Sequence, residues 1–384
     1  IAKAVKGARH LYLATDPDRE GEAISWHVHN ALEEKNVLRG ISVKRVVFNE
    51  VTRDAVLTAF QHPREIDLEL VDAYLARRVL DRLMGYELSN ILRRKLPRSQ
   101  SAGRVQSVAL KLICERETEI EAFKQEEYWS IAGSCKTPEG KDFSAQLAIL
   151  EGVKLKKMDI QSEDAAVRAV AAIKSKTFSV ASLQKKQVKR HPAAPFTTST
   201  LQQEAARKLY FPARKTMVVA QGLYQGVAIN GELTGLITYM RTDGVQMAAE
   251  SISACRNLII SDFDTRYLPP TPKVYKTKAK NAQEAHEAIR PTNILRRPKD
   301  ISSYLTDEQN KLYTLIWGRT IASQMEAAIL DQVSININSD DDQFSFRATG
   351  SIVSFDGFRR IYKEGSDQED DNADENRLLP QYGL

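Results

Sequence analysis

The sequence predicts a multidomain chain of α/β plus α plus β class, on three observations. A short apolar run passes through a cluster of acids into a helical stretch, a long helical region follows, and strand-rich segments then stand on either side of a helical insert. At 384 residues, 42% of them hydrophobic, the chain is long enough for about two to four domains.

Leu11-Tyr12-Leu13-Ala14 reads as a buried strand, and the helical stretch from about Glu20 to Lys35 follows it directly. The acids Asp16, Asp18, Glu20 and Glu22 therefore fall on a strand-to-helix turn. A second strand, Val43 to Phe48, and a helix from about Val51 to Phe60 continue the pattern, in which parallel strands present ligands at their carboxyl ends. From Leu68 to about Arg94 apolar residues recur at helical spacing, as in Val71, Leu75, Val79, Leu80 and Leu83, and another helix runs from about Val105 to Ile120. Beyond Glu127 the pattern turns to strands at Tyr128 to Cys135, Phe143 to Leu150 and Phe178 to Val188, and strands return at Gln332 to Ile337 and Phe344 to Thr349. The insert between them opens with Pro195 to Thr200, whose hydroxyls suit the N-cap of a helix over Leu201 to Tyr210. It then has a Pro-, Lys- and Arg-rich loop over 269–299 and a helix from Thr306 to Gln324. The acidic run from Glu364 to Glu375 reads as a linker.

The net charge of +5 hides an asymmetry: residues 364–384 carry seven acids and one arginine, net −6, leaving +11 on residues 1–363. Cations gather at Lys185-Lys186 with Lys189-Arg190, at Arg207-Lys208 with Arg214-Lys215, and at Lys273, Lys276, Lys278 and Lys280. Such clusters suit a polyanion such as nucleic acid, although any single run of this kind is more often a solvated face. Cys114, Cys135 and Cys255 form no C-x-x-C pair, so they write neither a disulfide framework nor a zinc ribbon and are expected to be buried apolar residues. No run of about 18 apolar residues and no signal-like start occurs, which predicts a cytoplasmic chain with no membrane partner.

Four stretches carry candidate chemistry. In Asp16-Pro17-Asp18-Arg19-Glu20-Gly21-Glu22 the carboxylates alternate at period two and can converge as hard oxygen ligands for Mg2+; the same acids also suit a helix N-terminus. In Gly235-Leu236-Ile237-Thr238-Tyr239-Met240-Arg241-Thr242-Asp243, Tyr239 is a possible nucleophile. Its phenol titrates near ~10, so a phenolate at neutral pH costs about 4 kcal/mol, and Arg241 two residues on offers the cation that lowers this cost. A buried tyrosine beside a surface arginine accounts for the same spacing. In Asn281 to Pro291, a helical turn would place His286 and Arg290 on one face as an anion-binding pair. In Ser99 to Ser107, small residues open a helix bearing Arg104 and Gln106, near Arg77 and Arg78 of the preceding helix; phosphate binding and ordinary capping by Ser101 both fit.

Taken together and in this order, these stretches resemble the type IA DNA topoisomerases. Tyr239-Met240-Arg241-Thr242-Asp243 is similar to the active-site tyrosine motif of the bacterial topoisomerase I branch, whereas the topoisomerase III branch usually has proline where Met240 stands. Asp16 to Glu22 resembles the acidic motif of the Toprim fold, and Ser101 to Ser107 and Gln283 to Pro291 also match. The resemblance implies a toroidal core divided into a partial Toprim domain (1–66), part of a helical domain (67–125), a β-rich arch (126–197 and 326–384) and a helical domain carrying the tyrosine (198–325). It implies that Tyr239 attacks a DNA phosphodiester to give a 5′-phosphotyrosine, that Arg241 stabilises the scissile phosphate, and that Asp243 orients Arg241. Asp16, Asp18 and Glu20 would hold Mg2+ or shuttle the proton at the 3′-hydroxyl, with Glu20 and His286 among the catalytic groups. Arg77, Arg78, Arg104, Gln106, Asp243, His286 and Arg290 would contact DNA.

The implied activity is relaxation of negatively supercoiled DNA through a single-strand break, with single-stranded and negatively supercoiled DNA as partners, by a nucleoid-associated monomer. No nucleotide fuel is implied, and the sequence has no G-x-x-x-x-G-K-[ST] loop. Three departures stand out: Gly244 replaces the usual serine, nothing before Asp16 matches the family's opening strand with its glutamate and lysine, and Arg377 to Pro380 resembles a point where the family chain continues. The expectation is therefore a fragment shortened at both ends, marginally stable alone. Its alternative function is that of a single-stranded DNA-binding module that cannot cleave. A Toprim nuclease or primase would leave the tyrosine motif unexplained.

Overall fold

The computed structural model describes residues 1–96, 98, 101–137, 140–276 and 287–365. In chain order the elements are α1 (Ala2–Val5), β1 (His10–Leu13), α2 (Arg19–Glu34), β2 (Ser42–Arg45), α3 (Arg53–Gln61), α4 (Leu68–Arg82), α5 (Ser89–Lys95) and α6 (Gln106–Ala122). Then come β3 (Ala132–Lys136), β4 (Asp142–Leu150), β5 (Val153–Lys154), α7 (Glu163–Lys174), β6 (Phe178–Arg190), α8 (Thr198–Leu209), α9 (Ala213–Gln225), β7 (Val227–Ile229) and β8 (Glu232–Thr234). The remainder is α10 (Ala249–Asp262), α11 (Pro298–Ile301), α12 (Asp307–Ser323), β9 (Ala328–Ser339) and β10 (Ser345–Phe355).

The chain divides into two compact units, 1–123 with 217–246 and 277–313, and 124–216 with 247–276 and 314–384. The tyrosine stretch therefore clusters with the acidic turn of the first unit, together with most of the preceding helix α9, while α8 before it and α10 after it belong to the second.

In the first unit β1 and β2 pair in parallel, His10 opposite Ser42 through Leu13 opposite Arg45, and the acids follow the carboxyl end of β1 as the sequence predicts. Side chains start the helices locally: Asp18 accepts from Gly21 N to cap α2, Thr52 from Ala55 N to cap α3, and Asp67 from Glu69 N and Leu70 N to cap α4. The long helix expected from Leu68 is interrupted by a π-helical turn at Leu83–Leu88. Of its periodic apolar residues only Val71 is buried, while Val79, Leu80 and Leu83 are exposed, and α6 has no buried residue. Cys114 on α6 is exposed and Cys135 half-buried, so only Cys255 has the burial expected of all three; apolar spacing does not say which helix face meets a partner.

The second unit is built on an antiparallel sheet ordered β3-β4-β10-β9-β6, with β5 added to β4. Ala145, Ile335, Ile337, Phe346 and Ala348 form its core, with Ile173 of α7 and Phe178 packed against them. Period-two alternation puts these on one face and the serines, asparagines and Arg347 on the other. Helix α8 starts at the expected hydroxyls, with Thr197 as N-cap and Thr200 completing the capping box. Among the described residues no helix is long and apolar enough to cross a membrane.

Candidate active site

The acidic turn is pinned from within. Gly21 lies so close to Asp16 that a Cβ added to it would fall 2.0 Å from Asp16 O, so no larger residue fits this turn. Thr15 Oγ1 donates to Gly21 O at 2.5 Å and lies 2.8 Å from Ser25 Oγ. Arg45, at 0% exposure, donates to Leu13 O at 2.8 Å, Val46 O at 2.8 Å, Asp16 O at 2.6 Å and Glu22 Oε2 at 3.0 Å. Glu22 in turn accepts from Arg64 at 2.7 and 2.9 Å and from Asp67 N at 2.7 Å. Burial alone would raise the Glu22 carboxyl, but the hydrogen bonds from Arg64, Asp67 N and Arg45 outweigh it and hold the pKa below its ordinary value.

The tyrosine segment is an irregular extended stretch clamped on two sides. Gly235 N donates to Val51 O at 2.8 Å and Tyr239 N to Asn49 O at 2.8 Å; on the other side Thr238 N donates to Arg290 O at 2.9 Å, and Thr238 Oγ1 to Ala288 O at 2.8 Å. Leu236, Ile237, Met240, Ala288 and Ile289 bury the clamp. Gly235 is required by close approach, since a Cβ there would lie 2.6 Å from Tyr224 O and 3.0 Å from Val51 O.

The two segments meet at Tyr239 and Asp18. Tyr239 Oη donates to Asp18 Oδ2 at 2.6 Å across 221 residues of sequence. Arg241 Nη1 lies 3.8 Å from the same oxygen and 3.3 Å from Glu20 Oε2. Tyr239 is 3% exposed and Arg241's side chain 52%, so the nucleophile candidate is buried and the cation faces solvent. Burial, then the hydrogen bond to Asp18 and the charges of Asp18 and Asp16, push the Tyr239 phenol far up; Arg241 lowers it only in part. The cation predicted to favour a phenolate thus does not offset burial and two carboxylates, and Tyr239 stands as a protonated donor. Although Asp16 is an exposed residue, the protein around its carboxyl desolvates it, and this together with Asp18's charge pushes its pKa up.

Among the described residues no three His, Cys, Asp or Glu side chains stand together as a metal cage. Asp16 and Asp18 are close enough to raise the former's pKa, while Glu20 is turned to Arg241. The Asp16 carboxylate has no hydrogen-bond partner among the described residues, and Mg2+ commonly takes one or two carboxylates along with substrate phosphate, so this pair fits such a cation.

The DNA topoisomerase family model matches residues 65–382, and the Toprim domain model matches residues 1–51. The chain belongs to the type IA DNA topoisomerase family. It is 51% identical over 381 residues to DNA topoisomerase 1 of Rickettsia bellii, covering 99% of this chain and 47% of that protein. Against DNA topoisomerase 1 of Xylella fastidiosa it is 49% identical over 385 residues, covering 99% and 47%. Full-length topoisomerase I from Thermotoga maritima is structurally similar, with a TM-score of 0.79 at 34% identity, covering 100% of this chain and 59% of that one. The chain thus spans about half the length of the curated relatives it matches.

Within this topoisomerase frame the other residues singled out in the sequence fall in different settings. Arg290 is 6% exposed, its guanidinium held by Glu287 at 2.6 Å, Glu50 at 3.3 Å and Pro291 O at 3.1 Å, so it braces the tyrosine clamp. His286 lies outside the described residues, and residues 287–291 are extended instead of helical because Ala288 N and the Arg290 carbonyl pair with Gln246 and Thr238. Arg241 is oriented by Glu20 and Asp18, whereas Asp243 is exposed and has no hydrogen bond or ion pair among the described residues. Arg104 donates to Asp81 at 2.8 Å, Arg77 lies 4.0 Å from that carboxylate, and Arg78 is exposed. Gln106 starts α6 and donates to Ser101 Oγ at 3.1 Å; Ser101 does not cap the helix.

Sequence reading missed Arg45, Arg64 and the Asn49 to Val51 segment. Each acts by what it reaches in the folded chain, and only Glu22, the last acid of the motif, hinted at a buried cation partner.

Proposed function

We propose that the chain carries the cleavage centre of an ATP-independent topoisomerase that relaxes negatively supercoiled DNA. Tyr239 Oη attacks a phosphodiester of one strand, the new O–P bond makes a 5′-phosphotyrosine, and the broken P–O bond leaves a 3′-hydroxyl. A second strand passes and the 3′-hydroxyl reverses the step. One phosphate ester is exchanged for another, so no nucleotide fuel enters the balance.

The observation that carries this reading is the 2.6 Å hydrogen bond from Tyr239 Oη to Asp18 Oδ2. A phenol with a raised pKa must lose its proton as it attacks, and Asp18 Oδ2 already accepts that proton's hydrogen bond. Arg241, exposed beside the same carboxylate, would take phosphate oxygens in a bidentate manner. Asp16 and Asp18, with Glu20 once released from Arg241, are the residues that would hold Mg2+. A bound Mg2+ would neutralise charge on the phosphate and these carboxylates. Arg77, Arg78, Arg104 and Gln106 are proposed as DNA contacts away from the scissile bond, and single-stranded DNA as the bound form.

Covalent capture tests the reading. The chain is incubated with a 3′-labelled single-stranded oligonucleotide, denatured, and assayed for label on protein. Label with the unaltered chain and none with Tyr239→Phe is expected. Label that persists in Tyr239→Phe would remove Tyr239 as nucleophile, and binding without label from either chain would leave the DNA-binding module instead.

A further inference from the structure

We propose that the polar face of the second unit's sheet carries a separate binding groove for the phosphate backbone of single-stranded DNA, a site that goes beyond the cleavage centre while resting on the reading that this chain binds DNA. The groove encloses about 290 Å³ and is lined by Lys154, Ser182, Asn336, Asn338, Ser345 and Arg347.

Two irregularities of the sheet shape it. The pairing of β10 with β4 shifts register between Ser345 and Phe346, leaving Ala148 as the extra residue, and that of β6 with β9 shifts between Val180 and Ser182, leaving Ala181. Both extra residues, Ala148 and Ala181, line the groove. A β-bulge adds local twist and re-aims side chains, and here two of them flank the central pair β9–β10. Across that pair Arg347 stands opposite Asn336 and Ser345 opposite Asn338, so the polar side chains gather on one face.

The charge is uncompensated. Arg347 Nε donates to Ser334 Oγ at 3.1 Å, which anchors the guanidinium without neutralising it, and neither Arg347 nor Lys154 has an acidic partner among the described residues. Asn336 Nδ2 donates to Ser182 Oγ at 2.9 Å and Ser345 Oγ to Asn338 Oδ1 at 2.8 Å, so these groups are held in place. Asp342 accepts from Asn338 Nδ2 at 3.1 Å and keeps its charge, but it is not among the residues that line the groove. The anchored guanidinium of Arg347 and the exposed ammonium of Lys154 suit a phosphodiester. No aromatic ring lines the groove, so base stacking is absent and the contact is indifferent to sequence.

The test is fluorescence anisotropy of the full chain with a labelled oligo(dT), titrated at several salt concentrations. Lys154→Gln/Arg347→Gln is expected to bind about tenfold more weakly at low salt, with a log K versus log salt slope shallower by about 1.4, since each single-strand phosphate contact contributes about 0.7. Lys136→Ala, which removes a cation of the same sheet already paired with Asp142 at 3.8 Å, is expected to leave both quantities unchanged. Should the double variant fold poorly, Lys154→Gln on the exposed β5 strand reads the same slope with about half the change. An affinity within twofold of the unaltered chain and an equal slope would overturn the groove while leaving covalent capture by Tyr239 intact. Absence of any oligonucleotide binding by the unaltered chain would overturn both readings.

Discussion

The acidic and tyrosine loops and the helices α4 to α6 belong to one unit, and they solve opposite problems. Around Asp18 and Tyr239 the buried charges have specified partners: Arg45 and Glu22 are almost wholly enclosed, and Arg290 is held by two acids. Along α4 to α6, ion pairs such as Arg104 to Asp81 lie at the surface, and Val108, Leu112 and Ile113 are exposed. The difference teaches that geometry is fixed where polar groups leave water, because an unpaired buried charge costs several kcal/mol, whereas an exposed pair leaves its helix free to tolerate change.

The sharpest way to break this contrast is Gly21→Ala. Its Cβ would overlap Asp16 O, so a loss of about 4 kcal/mol or more, or failure of the first unit to fold, is expected in thermal melts. A melt near that of the unaltered chain would mean the turn is not held as described. Next comes Glu22→Ala, which leaves Arg45 buried without its carboxylate and should cost about 3–5 kcal/mol in denaturant unfolding.

The same residue gives a pH signature. Its folded pKa is depressed, so its contribution is complete above the ordinary glutamate value of about 4.3 and disappears as pH falls through the lowered folded value. Acid unfolding of Glu22→Gln should therefore lose that part of the pH dependence; an unchanged acid limb would assign the dependence elsewhere.

Gly235→Ala should cost less, about 1–3 kcal/mol, because its Cβ would stand 2.6 Å from Tyr224 O, against 2.0 Å from Asp16 O at Gly21, and covalent capture should fall with it as the clamp moves Tyr239 away from Asp18. At the small end, Val108→Ser and Leu112→Ser on α6 are expected to change stability by less than about 0.5 kcal/mol. A large loss from either would show that this helix face is covered and would erase the contrast.

Much of the scaffold was legible. The acids follow a parallel strand and open a capped helix, and the strands from Phe143 onward fall close to β4, β6, β9 and β10, because period-two alternation and capping are local. Helices α7, α9 and α10 and the hairpin β7–β8 went unread, although Asn230-Gly231, both at positive φ, mark that hairpin's turn. The π-helical turn at Leu83–Leu88 also had no sequence sign.

By itself the sequence determined the chemical inventory: an acid-rich strand-to-helix turn, a tyrosine two residues before an arginine, a basic body, and motifs specific enough to indicate the family. Only the tertiary structure decided which of these groups meet. Tyr239 and Asp18 are 221 residues apart, and what joins them is a set of buried hydrogen bonds through Arg45, Glu22, Asn49, Val51 and Arg290. The tertiary structure likewise decided that Tyr239 is a protonated donor and that Arg290 is a brace, because desolvation and pairing depend on what the folded chain places around a group, and neighbours in sequence do not supply that.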